Sequence, residues 1–164
     1  PGHGRANLDS HYDLPVIDVP ANELDIDLAP FIALNDLPWG IVSHLLFPQL
    51  DPKHPATTSA KIIREIIRER IGFEGLLVTD DISMKALKAP VEESSVRALE
   101  AGRDIVCHCN GDMAEMQPIA DALTPMDEAL AARFEAIRRP CVSEPFSEIA
   151  DLAADIDARI SALA

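Results

Sequence analysis

The chain has 164 residues, 48% of them hydrophobic, which is enough for one compact domain with a core, and it carries a formal net charge of −14. That acidity argues against nucleic acid and anionic membrane as partners, since both attract basic surfaces. No apolar run approaches the ~20 residues of a membrane span, and the three cysteines (Cys107, Cys109 and Cys141) are odd in number and lack a framework spacing, so they read as reduced thiols of a cytosolic protein.

The first segment, "PGHGRANLDSHYD", has no initiator Met, no signal-like apolar stretch and no strand before it. It reads as the interior of a domain, so the lack of a targeting signal says little. Its glycines and polar residues make it a loop, and it holds His3, Asp9 and His11. Asp9 and His11 are two residues apart, close enough for the carboxylate to hold the imidazole. Such a pair fixes the tautomer and raises the imidazole pKa, which suits a general acid/base near neutrality. The same spacing also fits an Asx-type turn with a surface histidine. A metal site from His3, Asp9, His11 and His44 is a further reading, but no HxH or HExxH spacing supports it.

Downstream, "ANELDIDLAPFIAL" predicts a covering helix. "WGIVSH" (39–44) is the first strand candidate, nearly continuous in apolar character, as expected where both faces are covered. From Ser59 a helix follows, with isoleucines at 62, 63, 66, 67 and 71 in one stripe and Arg64, Glu65, Arg68 and Glu69 facing away. Gly72 is a plausible C-terminal stop. "GLLVTD" (75–80) is the second strand. A helix from about Pro90 to Ala101 starts on a proline and ends before Gly102. "RDIVCH" (103–108) is the third strand. "GDMAEMQPIADAL" and "DEALAARFEAI" are helical, Pro140 breaks the chain, and a last amphipathic helix uses Ile149, Leu152, Ile156, Ile160 and Leu163.

Strand, helix, strand at a spacing of roughly 30 residues is the βαβ unit, which implies a parallel sheet. Functional groups collect at the C-terminal ends of parallel strands. All three strands end in polar chemistry: Ser43-His44, Thr79-Asp80-Asp81 and Cys107-His108-Cys109. Asp81 suits a helix N-cap. Asp80 still lies on the strand, where capping is less natural, and is the better functional candidate. Cys107-His108-Cys109 has zinc-binding residue types without partner ligands, and packing is the competing reading.

Taken together, "PGHGRANLDSHYDLP", "VSHLLFPQLDPKHPATTS", "IGFEGLLVTDDISMKAL" and "AGRDIVCHCNGDMAEM" resemble, in that order, the second half of the bacterial family 3 β-N-acetylhexosaminidases. That family carries a K-H-[FI]-P-G-H-G…D-S-H loop and a [ST]-D-D-[LI]-S-M segment. The resemblance spans about residues 1–117, with the rest matching only as a helical tail. It implies an α/β fold, a (β/α)₈ TIM barrel, of which this chain holds about the last three βα units. Residues 1–123 would be the C-terminal half of the catalytic domain and residues 124–164 a helical tail packing on it.

The resemblance also implies a cytoplasmic enzyme of peptidoglycan (cell-wall) recycling that needs no cofactor or metal. Its substrate would be N-acetylglucosamine linked to an anhydro-muramoyl unit of a muropeptide. By position, Asp80 matches the catalytic nucleophile, His11 the acid/base and Asp9 its dyad partner. Met84 and His44 fall in segments that line the sugar pocket. A histidine acid/base repels an anionic acceptor less than a glutamate does, so phosphorolysis is a variant beside hydrolysis.

The sequence departs from the pattern in one respect. The Lys-His pair that precedes the "PGHG" proline in the family lies upstream of Pro1. A barrel of about 250 residues also exceeds 164. The expected material is therefore strands six to eight, partnered by the first half of a barrel or by dimerisation with a second copy. Two other readings are a non-catalytic, receiver-like module in which Asp80 and Asp81 hold Mg²⁺, and an inactive remnant.

Overall fold

The computed structural model describes residues 2–141. The helix expected around Ile149–Leu163 lies outside them. Two compact units are present, one up to Met126 and one from Asp127.

The first unit is built on a three-stranded parallel sheet, β1 (Trp39–Val42), β2 (Leu76–Asp81) and β3 (Ile105–Cys107), in spatial order β1-β2-β3. The helix Ile62–Arg70 connects β1 to β2, and α2 (Val91–Glu100) connects β2 to β3. These are the predicted βαβ crossovers. α1 (Asp25–Ile32) precedes the sheet and α3 (Met113–Ala122) follows it. No described helix is long and apolar enough to cross a membrane.

The isoleucine stripe does what its period dictates. Ile62, Ile63, Ile66 and Ile71 are buried, and they meet Leu77, Phe73, Val42, Leu45 and Phe47 in one core. The helix is wound wider than an α-helix: the Ile71 N–H reaches back five residues to the Ile66 carbonyl. Ser59 starts it, its hydroxyl accepting from the Ile62 N–H and donating to Asp51. Gly72, at φ +75°, stops it in the left-handed conformation that glycine adopts at least cost.

Three expectations are corrected. Continuous apolar character predicts two covered faces for every strand, yet only β2 comes close, with Leu76 and Leu77 buried and Val78 half-buried. Ile41 of β1 is 71% exposed and β3 is half-buried, because both are edge strands. Arg68 does not face away into water: its guanidinium folds back to donate to the Phe73 and Gly75 carbonyls and to Asp104. It thereby fixes the entry to β2, where the Asp104 carboxylate also accepts from the Leu77 N–H. Finally, α4 (Glu128–Cys141) passes through Pro140 rather than breaking before it. A proline forfeits one N–H, but its fixed φ is already helical, so a helix can run one residue past it.

Gly75 is required by proximity. A Cβ there would sit 2.5 Å from the Leu37 carbonyl oxygen and 2.8 Å from that of Pro38. The same Pro38 oxygen accepts from the Leu76 N–H, so β1 and β2 begin pressed together.

Candidate active site

The C-terminal ends of the strands form the rim. Between the pairs Val78–Ile105 and Asp81–Cys107, β2 advances three residues while β3 advances two. This is a β-bulge, a feature that re-aims side chains next to functional sites. Thr79 repairs the ladder, its buried hydroxyl accepting from the Cys107 N–H at 2.9 Å. Asp80 and Asp81, on the bulge, are each half-buried rather than driven into the core. The Asp80 carboxylate accepts from the Asp81 N–H at 3.0 Å.

Asp81 is not a helix cap, since the next helix begins ten residues later at Val91. Its carboxylate accepts from the Ser83 N–H, the Ser83 hydroxyl and the Cys109 N–H, at 3.1, 2.9 and 3.2 Å. It therefore closes an Asx turn after β2 and ties that turn to the end of β3. Burial alone would raise its pKa, but these donors outweigh it and hold the carboxyl below its usual value. The D-x-S spacing of Asp81 and Ser83 carried this signal in the sequence.

His11 and Asp9 make the anticipated pair. His11 Nδ1–H donates to Asp9 Oδ1 at 2.7 Å, and the His11 backbone N–H donates to the same oxygen at 2.9 Å. The spacing makes an Asx-type turn and a hydrogen-bonded carboxylate–imidazole pair at once. The Asp9 hydrogen bond raises the His11 pKa, with smaller contributions from the charges of Asp80 and Asp81. The two strand-end carboxylates are thus within electrostatic reach of the loop. The loop is docked there as well. The Lys85 N–H donates to the His11 carbonyl at 3.2 Å, and Lys88 pairs with Asp13 at 3.1 Å. His3 braces the loop from within, Nε2 lying 3.0 Å from the Ser10 hydroxyl.

His44 and Met84, which fall in the segments expected to line the pocket, lie beneath the rim. His44 is completely buried. A carbonyl can only accept, so Nε2–H donates to the Asp81 carbonyl at 2.9 Å, and Nδ1 accepts from the Thr57 hydroxyl at 2.6 Å. Burial lowers its pKa, consistent with this neutral tautomer. Met84 is 7% exposed, and its N–H donates to the same Asp81 carbonyl. Both residues touch the rim through the backbone of Asp81.

At the end of β3, His108 turns to Glu115 (2.9 Å) while the Cys107 and Cys109 sulfurs face each other at 3.5 Å. Among the described residues no three His, Cys, Asp or Glu side chains converge as metal ligands. An apolar cleft of about 300 Å³ lies elsewhere, along β1, lined by Phe31, Leu34, Leu37, Trp39 and Phe73 among others.

A parallel α/β unit with carboxylates and an imidazole at the C-terminal ends of its strands is the placement in which α/β enzymes gather their functional groups. Residues 1–139 match the glycosyl hydrolase family 3 N-terminal domain. The chain belongs to that family. It is 36% identical over 144 residues to a beta-hexosaminidase of Bordetella pertussis, covering 85% of this chain and 40% of the relative. It is 35% identical over 137 residues to that of Idiomarina loihiensis, covering 81% and 41%. Among solved structures it resembles a family 3 β-N-acetylglucosaminidase from Paenibacillus, with TM-score 0.77, 29% identity, and coverage of 89% of this chain and 31% of that one. It also resembles NagZ from Neisseria gonorrhoeae, solved with N-trifluoroacetyl-D-glucosamine, with TM-score 0.70, 33% identity, and coverage of 84% and 41%. The chain spans about two fifths of the curated relatives it matches.

Proposed function

We propose that this chain supplies the catalytic rim of a retaining β-N-acetylglucosaminidase. The reading is carried by one observation: the Asp9–His11 dyad is docked, through the Lys85 N–H, on the turn that follows Asp80. Asp80 would attack the anomeric carbon, forming a glycosyl ester as the bond to the leaving oxygen breaks. The His11 imidazolium would give its proton to that oxygen, then take one from the water that cleaves the ester. Asp9 would hold the ring and stabilise its charged form. His44, Met84 and Asp81 would position the Asp80 segment from below.

The substrate we favour is N-acetylglucosamine on an anhydro-muramoyl muropeptide unit, processed in the cytoplasm, with hydrolysis preferred over phosphorolysis. This rests on the family resemblance, as does a (β/α)₈ barrel to which the chain contributes about three units. The 1–123 and 124–164 division is proposed on the same ground.

The test uses the intact protein, the chain joined to the first half of a family 3 catalytic domain. Asp80→Asn should abolish turnover of a β-N-acetylglucosaminide with the circular dichroism spectrum unchanged, because an amide cannot form the ester. His11→Ala should cost about 10²–10⁴-fold on a disaccharide and much less in the glycosylation step on a phenolic glycoside, which needs little protonation. Near-normal turnover by a pure Asp80→Asn protein would remove that residue from the mechanism.

A further inference from the structure

We propose that Cys107 and Cys109 form a dithiol site that reacts with small-molecule disulfides and closes into a Cys107–Cys109 disulfide at the rim. The sulfurs are 3.5 Å apart, and a disulfide bond is about 2.05 Å long, so closure needs a movement of about 1.5 Å. Both are free thiols, Cys109 exposed and Cys107 half-buried. Access therefore makes Cys109 the attacking residue and Cys107 the resolving one.

The chemistry balances. The Cys109 thiolate bonds to one sulfur of the small disulfide and expels the other as a thiolate, which takes up a proton. Cys107 then attacks Cys109 in the mixed disulfide and expels the second small thiol. The protein dithiol is oxidised by two electrons and one small disulfide is reduced to two thiols. The hydrogen bond to Cys107, then burial, then the charges of Asp81 and Asp80 push the Cys109 thiol up to about 11. Proximity of the resolving thiol, rather than a standing thiolate, is what favours the reaction.

The two cysteines are held unequally, and this decides what moves. The Cys107 N–H donates to Thr79 of β2 and its carbonyl accepts from the N–H of Ile82, the residue after β2, both at 2.9 Å, so its backbone is pinned at both ends. Cys109 is tied by its N–H to Asp81 at 3.2 Å. Closing the bond draws Cys109 toward Cys107 and takes a donor from Asp81, the residue that organises the turn beside Asp80. Oxidation thereby loosens the rim. This consequence for turnover rests on the glycosidase reading, whereas the bond itself does not.

The intact protein, reduced and then equilibrated with oxidised glutathione, is quenched, alkylated and digested. The peptide containing Cys107 and Cys109 should escape alkylation and be lighter by two hydrogen atoms, with Cys141 alkylated. In Cys107→Ser protein, Cys109 should instead retain a glutathione adduct. Full alkylation of both thiols, a stable adduct on Cys109 of the unsubstituted protein, or pairing with Cys141 would overturn the site. In parallel, oxidation should lower turnover of a β-N-acetylglucosaminide several-fold, reversibly with dithiothreitol, and Cys109→Ser protein, which lacks the exposed attacking thiol, should not lose turnover in this way. The bond forming with turnover unchanged would overturn the coupling to the rim. Absence of glycosidase activity in fully reduced protein would count against the glycosidase reading, and the peptide map would still decide the disulfide.

Discussion

At the scale of single residues, the rim separates charge by environment. His11 is highly exposed, so its protonation is governed by a hydrogen bond to Asp9, not by burial. A raised imidazole pKa keeps the acid form present to higher pH than a free imidazole would. If His11 donates the proton, the alkaline limb of kcat/KM belongs to its deprotonation. Asp9→Asn removes the anion that favours the imidazolium, so that limb should move to lower pH. A pH–rate profile of the two proteins checks this, and an unmoved limb would separate Asp9 from the titration. His44 shows the opposite environment. It is an imidazole with no exposure and both nitrogens engaged, and its pKa is lowered by burial, so it is suited to hold the Asp81 carbonyl and not to exchange protons.

At the scale of elements, the bulge in β2 and the close approach before it set where Asp80 stands. The strand enters between the Leu37 and Pro38 carbonyls at Gly75, is clamped by Arg68, and leaves through the bulge at Thr79–Asp81. Gly75→Ala should therefore be more harmful than an ordinary helix or strand substitution. The added methyl meets backbone oxygens that cannot rotate away, and overpacking of this kind costs about 1–3 kcal/mol. Denaturant unfolding of the intact protein measures it, and a change below about 0.5 kcal/mol, the range of a neutral surface substitution, would show that the β1–β2 entry can relax.

At the scale of the whole molecule, the described sheet has two edges, β1 and β3, and an apolar cleft beside β1 with Ile41 largely exposed. Exposed edges of a parallel sheet invite pairing. The curated relatives are about two and a half times as long as the segment they share with this chain. We expect residues 1–164 alone to be inert on N-acetylglucosaminides, because the chain spans about two fifths of its relatives' length and positioning the sugar carries much of the rate. Activity should appear on mixing with a separately prepared first half of a family 3 catalytic domain. A monomeric, stably folded and active 164-residue chain would refute this expectation.

The sequence by itself determined the parallel sheet, the three strands, the isoleucine stripe and the pairing of Asp9 with His11. Each of these depends on local period or short spacing: apolar runs of strand length, a helical stripe, and a carboxylate two residues from an imidazole. Several features were decided only by tertiary structure. The bulge exists because β2 and β3 are out of step, which neither strand encodes alone. The exposure of β1 and β3 follows from their place at the edges of the sheet. The tie of Asp81 to the Cys109 N–H and the burial of His44 against the Asp81 carbonyl join residues 28 and 37 positions apart. Hydrogen bonds across such separations leave no periodic trace in a single chain, because they form only after the crossover helices have brought the strand ends together.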